Sequence, residues 1–529
     1  MRIQLNLKGI LCRLLVVGVL FSSLAPHAMA AGEADAKHTF TFRINGEPAT
    51  LDWNRAHTPI ETYLMVNLME GLVGLDDNLK PVPALAQSWK VSADGKTYTF
   101  KLRPDAQWSD GVPVKAKDFA FSWKRLLQPL TAASYAYLLF DIEGAEEYNK
   151  GSLQDFSKVG IKAVDDLTFE VKLKHPVAFW HYIPTFWVTF PLREDIVAKY
   201  GARWDMPGRM VTVGPFTLES HDLESKIVLK ANPKYYGPHG NIEKAVGLIV
   251  KDDSTAVTLF ESGRLDFMTD IPSLDLQRMA SKPELKTFPY LKTGYLAFVV
   301  GKFPLSNVRV RRAIAMAIDK SQFGNLLHGG QAPAASLVPP QLMGYSKKAA
   351  PEYNPVAARK ELAKAGLDLS RPIEMDMILS NWEKNLTLAQ FIQAQLKKNL
   401  GITLNLQPFD HKTFRAQLDL KIYGSYLLSW SGDYPDPDNF MSVFLGGAGN
   451  NRTGWKNPKY DELVVSARSE QNSKLREKKY TEAQKILLEE DAVVVPLFYE
   501  PNPALVQKRV KGLELNPLNY LYFKKVNLE

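Results

Sequence analysis

The stretch IEMDMILSNWEKNLTLAQFIQAQLKKNLGITL, residues 373–404, carries the clearest folding pattern of the chain. Residues 373–379 are predicted to form a strand and residues 383–400 a helix. Gly401 supplies a helix stop, and a second strand begins at Ile402. A strand, a helix and a strand in this order predict a right-handed parallel crossover, and therefore the α/β class.

Two segments nearer the N-terminus alternate polar and apolar residues with a period of two. Residues 96–102 do so directly after an Asp94-Gly95 turn, and residues 166–173 repeat the pattern. Such alternation is typical of strands with one buried face, so both segments are predicted to be strands, the first of them a hairpin arm.

The C-terminal part of the chain continues the alternation of helices and strands. Ser473 is the predicted N-cap of a helix that reaches about Glu490. Residues 492–499 follow as a β-branched and aromatic strand. Pro496 within this strand indicates an edge position or a crossing between domains.

The composition is that of a soluble globular protein. Of the 529 residues, 45% are hydrophobic, 11% aromatic and 23% charged, which excludes a disordered or low-complexity chain. This length predicts about three domains. The net charge of +8 and the pI near 9.0 suggest a polyanion-binding protein, but no short block of the chain is rich in lysine and arginine.

The N-terminus has the three regions of a cleavable export signal. A cationic segment precedes an apolar stretch at residues 14–24, and small residues follow at a cleavage position. The stretch is shorter than the ~20 residues that a membrane-spanning helix needs. Residues 1–30 are therefore predicted to be a signal peptide. The residues that carry the pattern are Arg2, Lys8, Arg13 and Ala28-Met29-Ala30.

The single cysteine, Cys12, lies inside the predicted signal peptide. A lipid-anchored bacterial protein carries a cysteine just after the apolar stretch, and the sequence has none there. The mature chain is therefore predicted to be soluble, free of cysteine and without a lipid anchor. Removal of three of the 65 basic residues leaves 62 against 57 acids, a net charge of +5.

Several enzyme signatures are absent from the sequence. It has no Gly-x-Ser-x-Gly elbow, no His-Glu-x-x-His helix and no Walker phosphate loop. His175 and His181 are the closest histidine pair, and the lack of a third ligand favours a solvated pair over a metal site. No catalytic residue, cofactor or metal site is predicted. A secreted hydrolase stays open, because acid–base carboxylate pairs leave no sequence signature.

Residues 428–440 place an indole among small residues, acids and prolines. Trp430 precedes Asp433 in a loop that Pro435 and Pro437 make partly rigid. In a partly desolvated cleft, a carboxylate held here would pair with a ligand ammonium group more strongly than in water. A solvated Asx-type turn explains the same residues, and the two interpretations are equally supported.

Four motifs follow one another along the mature chain. Together they resemble the solute-binding proteins of peptide/nickel/opine ABC importers, extracellular solute-binding protein family 5, and especially the periplasmic oligopeptide-binding proteins. The motifs are residues 83–89 with Trp108-Ser109-Asp110-Gly111 and Asp118-Phe119, residues 232–236, residues 303–314, and residues 430–437.

The resemblance implies a two-lobed α/β periplasmic binding protein of the cluster C type. Two chain crossings join the lobes, a further domain is inserted in the first lobe, and the ligand is enclosed between the lobes by hinge closure. The boundaries it implies are residues 31–69, 189–291 and 500–529 for the first lobe, 70–188 for the inserted domain and 292–499 for the second lobe.

The resemblance also implies a ligand site around the fourth motif. Asp433 stands where peptide-binding relatives receive the α-ammonium group of the ligand, and a buried cation needs such a carboxylate. Ser429 and Ser431 flank Trp430 and offer backbone groups to an extended peptide.

Other positions of the relatives' cleft are matched less uniformly. Tyr290 and Tyr135 match tyrosines that line the cleft, and His411 falls where oligopeptide binders often have a pocket tryptophan. Leu427 stands where oligopeptide binders commonly carry an arginine that suits a ligand carboxylate. Ligand length and the treatment of its C-terminus are left open by this substitution.

The function implied by the resemblance is the periplasmic solute-binding component of an ABC importer. It would capture short peptides, deliver them to the permease subunits at the inner membrane, act as a monomer and bind no nucleic acid. A non-peptide solute such as a metal chelate or an opine is the alternative within the family.

Overall fold

The computed structural model describes residues 37–56, 58–368 and 370–529. The predicted signal peptide and Cys12 lie outside these residues. In chain order the strands are β1 (Thr39–Ile44), β2 (Val73–Leu75), β3 (Pro81–Pro83), β4 (Ala86–Val91), β5 (Thr97–Leu102), β6 (Ile161–Asp165), β7 (Thr168–Lys172), β8 (Phe216–Asp222), β9 (Lys226–Ala231), β10 (Lys244–Ile249), β11 (Phe267–Met268), β12 (Leu285–Phe288), β13 (Lys292–Phe298), β14 (Ala332–Pro333), β15 (Glu374–Ser380), β16 (Thr403–Phe409), β17 (Ser425–Ser431), β18 (Val494–Tyr499), β19 (Asn502–Val506), β20 (Val510–Lys511) and β21 (Asn527–Leu528).

Helices connect and cover these strands. No helix among the described residues combines the length and the apolar character that a membrane crossing requires. The α-helices are α1 (Pro59–Leu68), α2 (Ala116–Leu127), α3 (Ala145–Asn149), α4 (Glu194–Tyr200), α5 (Asp253–Glu261), α6 (Ser273–Met279), α7 (Val308–Ala317), α8 (Phe323–Leu327), α9 (Pro355–Ala363), α10 (Glu383–Leu400), α11 (His411–Leu420), α12 (Asp438–Met441), α13 (Pro458–Ser469) and α14 (Ser473–Lys485).

Three larger sheets organise the described residues. A mixed seven-stranded sheet has the order β12-β19-β11-β1-β10-β9-β8, and a mixed six-stranded sheet has the order β14-β18-β13-β17-β15-β16. A four-stranded antiparallel sheet, β4-β5-β7-β6, is built from the chain between β1 and β8. The family fold of two α/β lobes with an additional inserted domain is therefore confirmed, while its domain boundaries stay a prediction.

Along the residues that the structure describes, the chain passes between the two mixed sheets at two places. One passage joins β12 to β13, and the other joins β18 to β19. The passages lie side by side, because Thr293 pairs with Tyr499 and the Glu500 amide donates to the Lys292 carbonyl at 3.0 Å. The two sheets are thus linked by two hydrogen-bonded crossing segments.

The predicted crossover is confirmed in its elements and its pairing. Strand β15 pairs in parallel with β16, and α10 spans the predicted residues 383–400. Gly401 ends α10 with φ +72°, a left-handed conformation that glycine adopts without steric cost. Buried Leu388, Ile392 and Leu396 on one face of α10 belong to the same apolar core as β15. Their spacing of four is what made the helix recognisable.

Two other predictions are settled by local geometry. Residues 97–102 and 168–172 form the neighbouring strands β5 and β7. The N-cap assigned to Ser473 is wrong by one residue, because the side chain of Asn472 accepts the amides of Lys474 and Leu475 at 3.1 Å each. Serine and asparagine are comparably good caps, so residue type alone did not separate them.

The predicted strand at residues 492–499 is β18, and it leads into the second crossing. It pairs with β13 along its length, but with β14 only at its last two residues. Pro496 therefore lies where one side of β18 has no strand partner in the described sheet, which suits a residue without an amide hydrogen.

Candidate functional site

Strand β17 positions the segment that contains Asp433. It runs antiparallel to β13, with Ser431 opposite Lys292 and Trp430 opposite Thr293. The Gly432 amide then donates to the Leu291 carbonyl at 2.7 Å, which ties the start of the following loop to the first crossing. The loop begins at the junction of the two lobes for this reason.

The other edge of β17 is largely open. Strand β15 pairs with β17 only at Ser425 and Tyr426. Among the described residues, no strand partner covers this edge along residues 427–431. The backbone groups on this edge therefore have no strand partner among the described residues, and the roles that the resemblance implies for Ser429 and Ser431 stay a prediction.

The side chain of Asn439 fixes Trp430 and Asp433 together. Its Oδ1 atom accepts the indole Nε1–H of Trp430 at 2.9 Å and the amide of Asp433 at 3.1 Å. Asn439 is buried, so the geometry of both residues depends on a single side-chain amide. Sequence reasoning did not single out Asn439, because an asparagine after Pro-Asp is also typical of an ordinary turn.

The Asp433 carboxylate is surrounded by protein and keeps only partial solvent contact. Burial raises its pKa to about 6, against the opposing effect of hydrogen bonds from Asn439, Tyr135 and Tyr137. Within the described part of the chain, no lysine, arginine or histidine acts on this carboxylate as an ion-pair partner. Asp433 is therefore a desolvated anion that hydrogen bonds stabilise and no cation neutralises.

Tyr135 and Tyr137 lie between β5 and β6, two strands of the four-stranded sheet. Their side chains hydrogen bond to Asp433. The Tyr135 ring packs against Phe186 and Trp187, with ring centroids 5.1 and 5.6 Å apart. Burial and the Asp433 charge raise the pKa of both tyrosines, so both hydroxyls stay protonated and can donate to the carboxylate. Tyr137 was missed by sequence reasoning, because nothing near it in the chain points to the loop after β17.

Tyr290 lies in the first crossing beside the end of β17. Its hydroxyl accepts a hydrogen bond from Ser431 Oγ at 3.3 Å. The structure thus brings together five of the predicted residues, Asp433, Trp430, Ser431, Tyr290 and Tyr135, with Ser429 on the same open strand edge.

His411 is the predicted residue that lies apart from this group. It begins α11 on the surface and stacks on Trp382, with ring centroids 5.0 Å apart and an interplanar angle of 8°. Trp382 in turn lines a cavity of about 280 Å³ together with Tyr290 and Lys292. His411 therefore borders the cleft through Trp382, a residue that sequence reasoning did not single out.

Leu427 does not face the cleft. It is 3% exposed, lies opposite Leu296 and belongs to the apolar core of the second lobe. No cation takes the place of the relatives' arginine at this position of β17.

The family model for the middle part of the bacterial extracellular solute-binding proteins, family 5, matches residues 80–452. This chain belongs to that family. It is 31% identical over 509 residues to the probable deoxycholate-binding periplasmic protein YgiS of Escherichia coli, covering 93% of this chain and 94% of the relative. It is also 31% identical to the periplasmic oligopeptide-binding protein OppA of Salmonella typhimurium, covering 97% and 98%.

A solved structure shows the same architecture. The Haemophilus influenzae OppA complex with RPPGFSPFR superposes with a TM-score of 0.78 at 28% identity, covering 93% of this chain and 99% of that structure. The relatives are binding proteins rather than enzymes, and the fold class predicted from the sequence is that of the family.

Proposed function

We propose that this chain is the periplasmic solute-binding component of an ABC importer, which encloses short peptides between its two lobes and delivers them to permease subunits at the inner membrane. The observation that carries the proposal is the Asp433 carboxylate, which is desolvated, has no ion-pair partner among the described residues and lies at the end of an open strand edge.

The α-ammonium group of a peptide suits this carboxylate. An ionised carboxylate that is removed from water without a counter-ion is costly, and a ligand cation offsets that cost. Asn439 and the tyrosine hydroxyls orient the carboxylate in advance. Peptide binding at this place therefore completes an ion pair that the protein leaves incomplete.

The open edge of β17 suits the backbone of the same ligand. An extended peptide that adds beside residues 427–431 exchanges main-chain hydrogen bonds with the strand. Such bonds give affinity with little dependence on side chains. The role of Ser429, Trp430 and Ser431 in this proposal is to present that edge.

A non-peptide solute is supported by one relative, which is named for deoxycholate. Deoxycholate carries a carboxylate and no ammonium group, so it would leave Asp433 unpaired. The oligopeptide-binding relatives of similar identity accord better with the charge of the site. A metal chelate or an opine is not favoured by the names of the relatives.

Further parts of the proposal concern the whole protein. The mature protein is exported through cleavage of residues 1–30, carries no lipid anchor, acts as a monomer without catalytic activity and binds no nucleic acid. Residues 70–188 form the inserted domain, and residues 31–69, 189–291 and 500–529 pair with 292–499 across the cleft.

Native mass spectrometry followed by calorimetry tests this function. Protein purified without refolding is expected to retain peptides of a few residues, which are recovered uncut after long incubation. Added peptides with a free amino group are expected to bind, and their N-acetylated forms to bind far more weakly. Equal binding of both forms contradicts the role of Asp433, and failure of every peptide to bind contradicts the function.

A further inference from the structure

A second group of contacts joins the two lobes besides the chain crossings. Phe179 lies between β7 and β8, on the side of the first lobe and its inserted domain. Tyr434 and Arg468 lie between β17 and β18, two strands of the six-stranded sheet of the second lobe. The Phe179 ring stacks on the Tyr434 ring, with centroids 5.0 Å apart and an interplanar angle of 8°. The guanidinium carbon of Arg468 lies 5.4 Å from the centre of the Phe179 ring.

Two polar contacts accompany the stacked rings. The Ala178 amide donates to the Arg468 carbonyl at 2.8 Å, and Arg468 Nη2 donates to the Asp141 carboxylate at 3.1 Å. Phe179 and Tyr434 are 1% and 7% exposed, so the rings are almost fully shielded from water. We call these five residues the latch. They are Asp141, Ala178 and Phe179 on the side of the first lobe, and Tyr434 and Arg468 on the second.

The charged groups of the latch each have a further polar neighbour on their own side. Asp141 Oδ1 lies 3.5 Å from His175 Nε2, and both residues precede β8. Arg468 Nε lies 3.7 Å from Asp438 Oδ1, and both residues belong to the second lobe. Separation of the lobes would therefore break the pair of Asp141 and Arg468 without leaving either charge isolated. Such a contact suits repeated opening and closing.

The latch adjoins the Asp433 site. Tyr434 follows Asp433 directly, and its hydroxyl donates to Asp438 Oδ2 at 3.0 Å. Tyr135 and Tyr137, which hydrogen bond to Asp433, come from the side of the first lobe, as Phe179 does. The approach of the lobes that forms the latch therefore also removes Asp433 from water.

These two results of lobe closure have opposite signs. Stacking and burial of Phe179 and Tyr434 favour the closed arrangement. Desolvation of the Asp433 carboxylate, which has no ion-pair partner among the described residues, opposes it. A ligand ammonium group beside Asp433 would remove the opposing contribution and leave the favourable one.

We propose that the latch and Asp433 together set the equilibrium between open and closed lobes. The latch favours the closed arrangement, and the Asp433 charge opposes it until a ligand cation pairs with that charge. Phe179 and Arg468 are thus positioning residues, which act on the cleft through Tyr434. The assignment of the latch stands on the contacts across the lobes, whereas the effect of the ligand rests on the proposed function.

The distance between the lobes of the ligand-free protein tests the proposal. Nitroxide labels at Ser152→Cys and Lys478→Cys, two exposed positions on opposite lobes, report this distance by pulsed electron paramagnetic resonance. Cys12 is the only cysteine of the sequence, so a protein without residues 1–30 takes label only at the two introduced positions. The closed and open molecules are counted from the short and long distances.

Phe179→Ala is expected to lower the ratio of closed to open molecules about 10-fold. Phe156→Ala should leave the ratio unchanged, because its ring packs on Tyr148 within the inserted domain. Asp141→Asn removes the charge that faces Arg468 and is expected to lower the ratio about 3-fold, which gives a second test with a milder substitution. An unchanged ratio in both Phe179→Ala and Asp141→Asn overturns the latch.

Asp433→Asn is expected to raise the same ratio about 10- to 100-fold, because each unit by which burial raises a carboxyl pKa corresponds to a tenfold change in an equilibrium. Adding Phe179→Ala to this variant should reverse part of the increase. An Asp433→Asn protein as open as the wild type overturns the part assigned to Asp433. One unchanged distance in the wild type and all variants overturns the whole proposal.

A ligand arm separates this inference from the proposed function. A mixture of free-amine tripeptides at saturating concentration is expected to close the wild type and to leave the label distance of Asp433→Asn unchanged. Failure of the mixture to close the wild type, with the ligand-free variants behaving as expected, contradicts the proposed function and leaves the latch intact. Closure by the mixture with unchanged ratios in the ligand-free variants supports peptide binding and overturns the latch.

Discussion

Asp433 and Asp436 stand three residues apart in one loop, and their surroundings are opposite. Asp436 is buried against Arg476, whose Nη1 and Nη2 atoms each donate to one carboxylate oxygen at 2.7 Å. Arg476 Nε also donates to the Ala467 carbonyl at 2.9 Å. Asp433 has hydrogen-bond donors around it, and no cation from the described part of the chain pairs with it.

This difference separates a structural carboxylate from one that is free to bind. The bidentate pair with Arg476 neutralises Asp436 and occupies both of its carboxylate oxygens. Asp436 therefore attaches the loop to α14. Hydrogen bonds orient Asp433 without neutralising it, which keeps its charge available for a cation from outside. Both carboxylates are removed from solvent, so burial does not distinguish them. The presence of an arginine partner at Asp436 does.

Removing the partner of Asp436 is expected to have the largest effect. Arg476→Met leaves a buried carboxylate unpaired, and the free energy of unfolding is expected to fall by about 3–5 kcal/mol. Urea unfolding followed by tryptophan fluorescence measures the change. Lys474→Met, an exposed substitution in the same helix, serves as the control. An Arg476→Met protein as stable as the wild type would show that the pair does not hold the loop.

Asp433→Asn is expected to act on binding rather than on folding. Loss of the carboxylate proposed to receive the ligand ammonium should weaken binding of a free-amine peptide about 100-fold, or ~3 kcal/mol. Stability without ligand should not fall, because the substitution removes a desolvated charge. Calorimetry and thermal unfolding measure the two effects. A similar loss for N-acetylated peptide would mean that the variant disturbs the cleft instead.

The pH dependence of binding sharpens the same contrast. The pKa of Asp433 is raised to about 6 in the ligand-free fold, so protonation removes its charge below that pH. Affinity for a free-amine peptide is expected to be constant above pH 7 and to fall by up to about tenfold per unit below pH 6. Calorimetry from pH 5 to 8 measures it, with Asp433→Asn as the variant whose affinity stays flat.

The stability of the ligand-free protein should respond to pH in the opposite direction. Because the folded-state pKa of Asp433 lies above its ordinary value of 3.8, the folded state binds this proton more tightly. Its contribution to stability therefore rises as the pH falls from above 6 toward 4. Buried Asp438, whose pKa is also raised to about 6, adds to this rise. Asp433→Asn should remove the contribution of Asp433 to this rise in stability and leave the contribution of Asp438.

Tyr137→Phe is expected to produce the smallest change. It removes one hydrogen bond to the Asp433 carboxylate, which is worth about 0.5–1.5 kcal/mol, or roughly 3- to 10-fold in affinity. The midpoint of the pH profile should also move upward, because that hydrogen bond lowers the Asp433 pKa. Tyr148→Phe, in the same part of the chain, should change neither quantity. An unaltered pH midpoint in Tyr137→Phe would exclude the hydrogen bond.

The elements that local sequence determines were predictable. The bounds of α10 follow from its apolar spacing and from Gly401, and the strands β5 and β7 follow from their alternation. These features act within one segment, so one segment is enough to reveal them. Asp433 was selected in another way: the residues of its loop left a ligand site and a solvated turn equally supported, and the resemblance to the family implied the ligand site.

Contacts between distant segments of the chain were not predictable in the same way. Tyr137 meets Asp433 from a distant part of the chain, and Lys384 meets Glu500 across the junction of the lobes. Neither residue differs locally from an ordinary exposed tyrosine or a helix-surface lysine. Both contacts depend on tertiary packing. No local pattern in a single sequence reveals such packing.

The paired crossings have a mechanical consequence for the lobes. Two neighbouring segments that exchange backbone hydrogen bonds cannot slide past each other without breaking them, but they can bend together about a common line. Bending about that line is therefore the relative motion of the lobes that the paired crossings restrict least. The side-by-side crossings would then keep the two lobes in one register while they rotate.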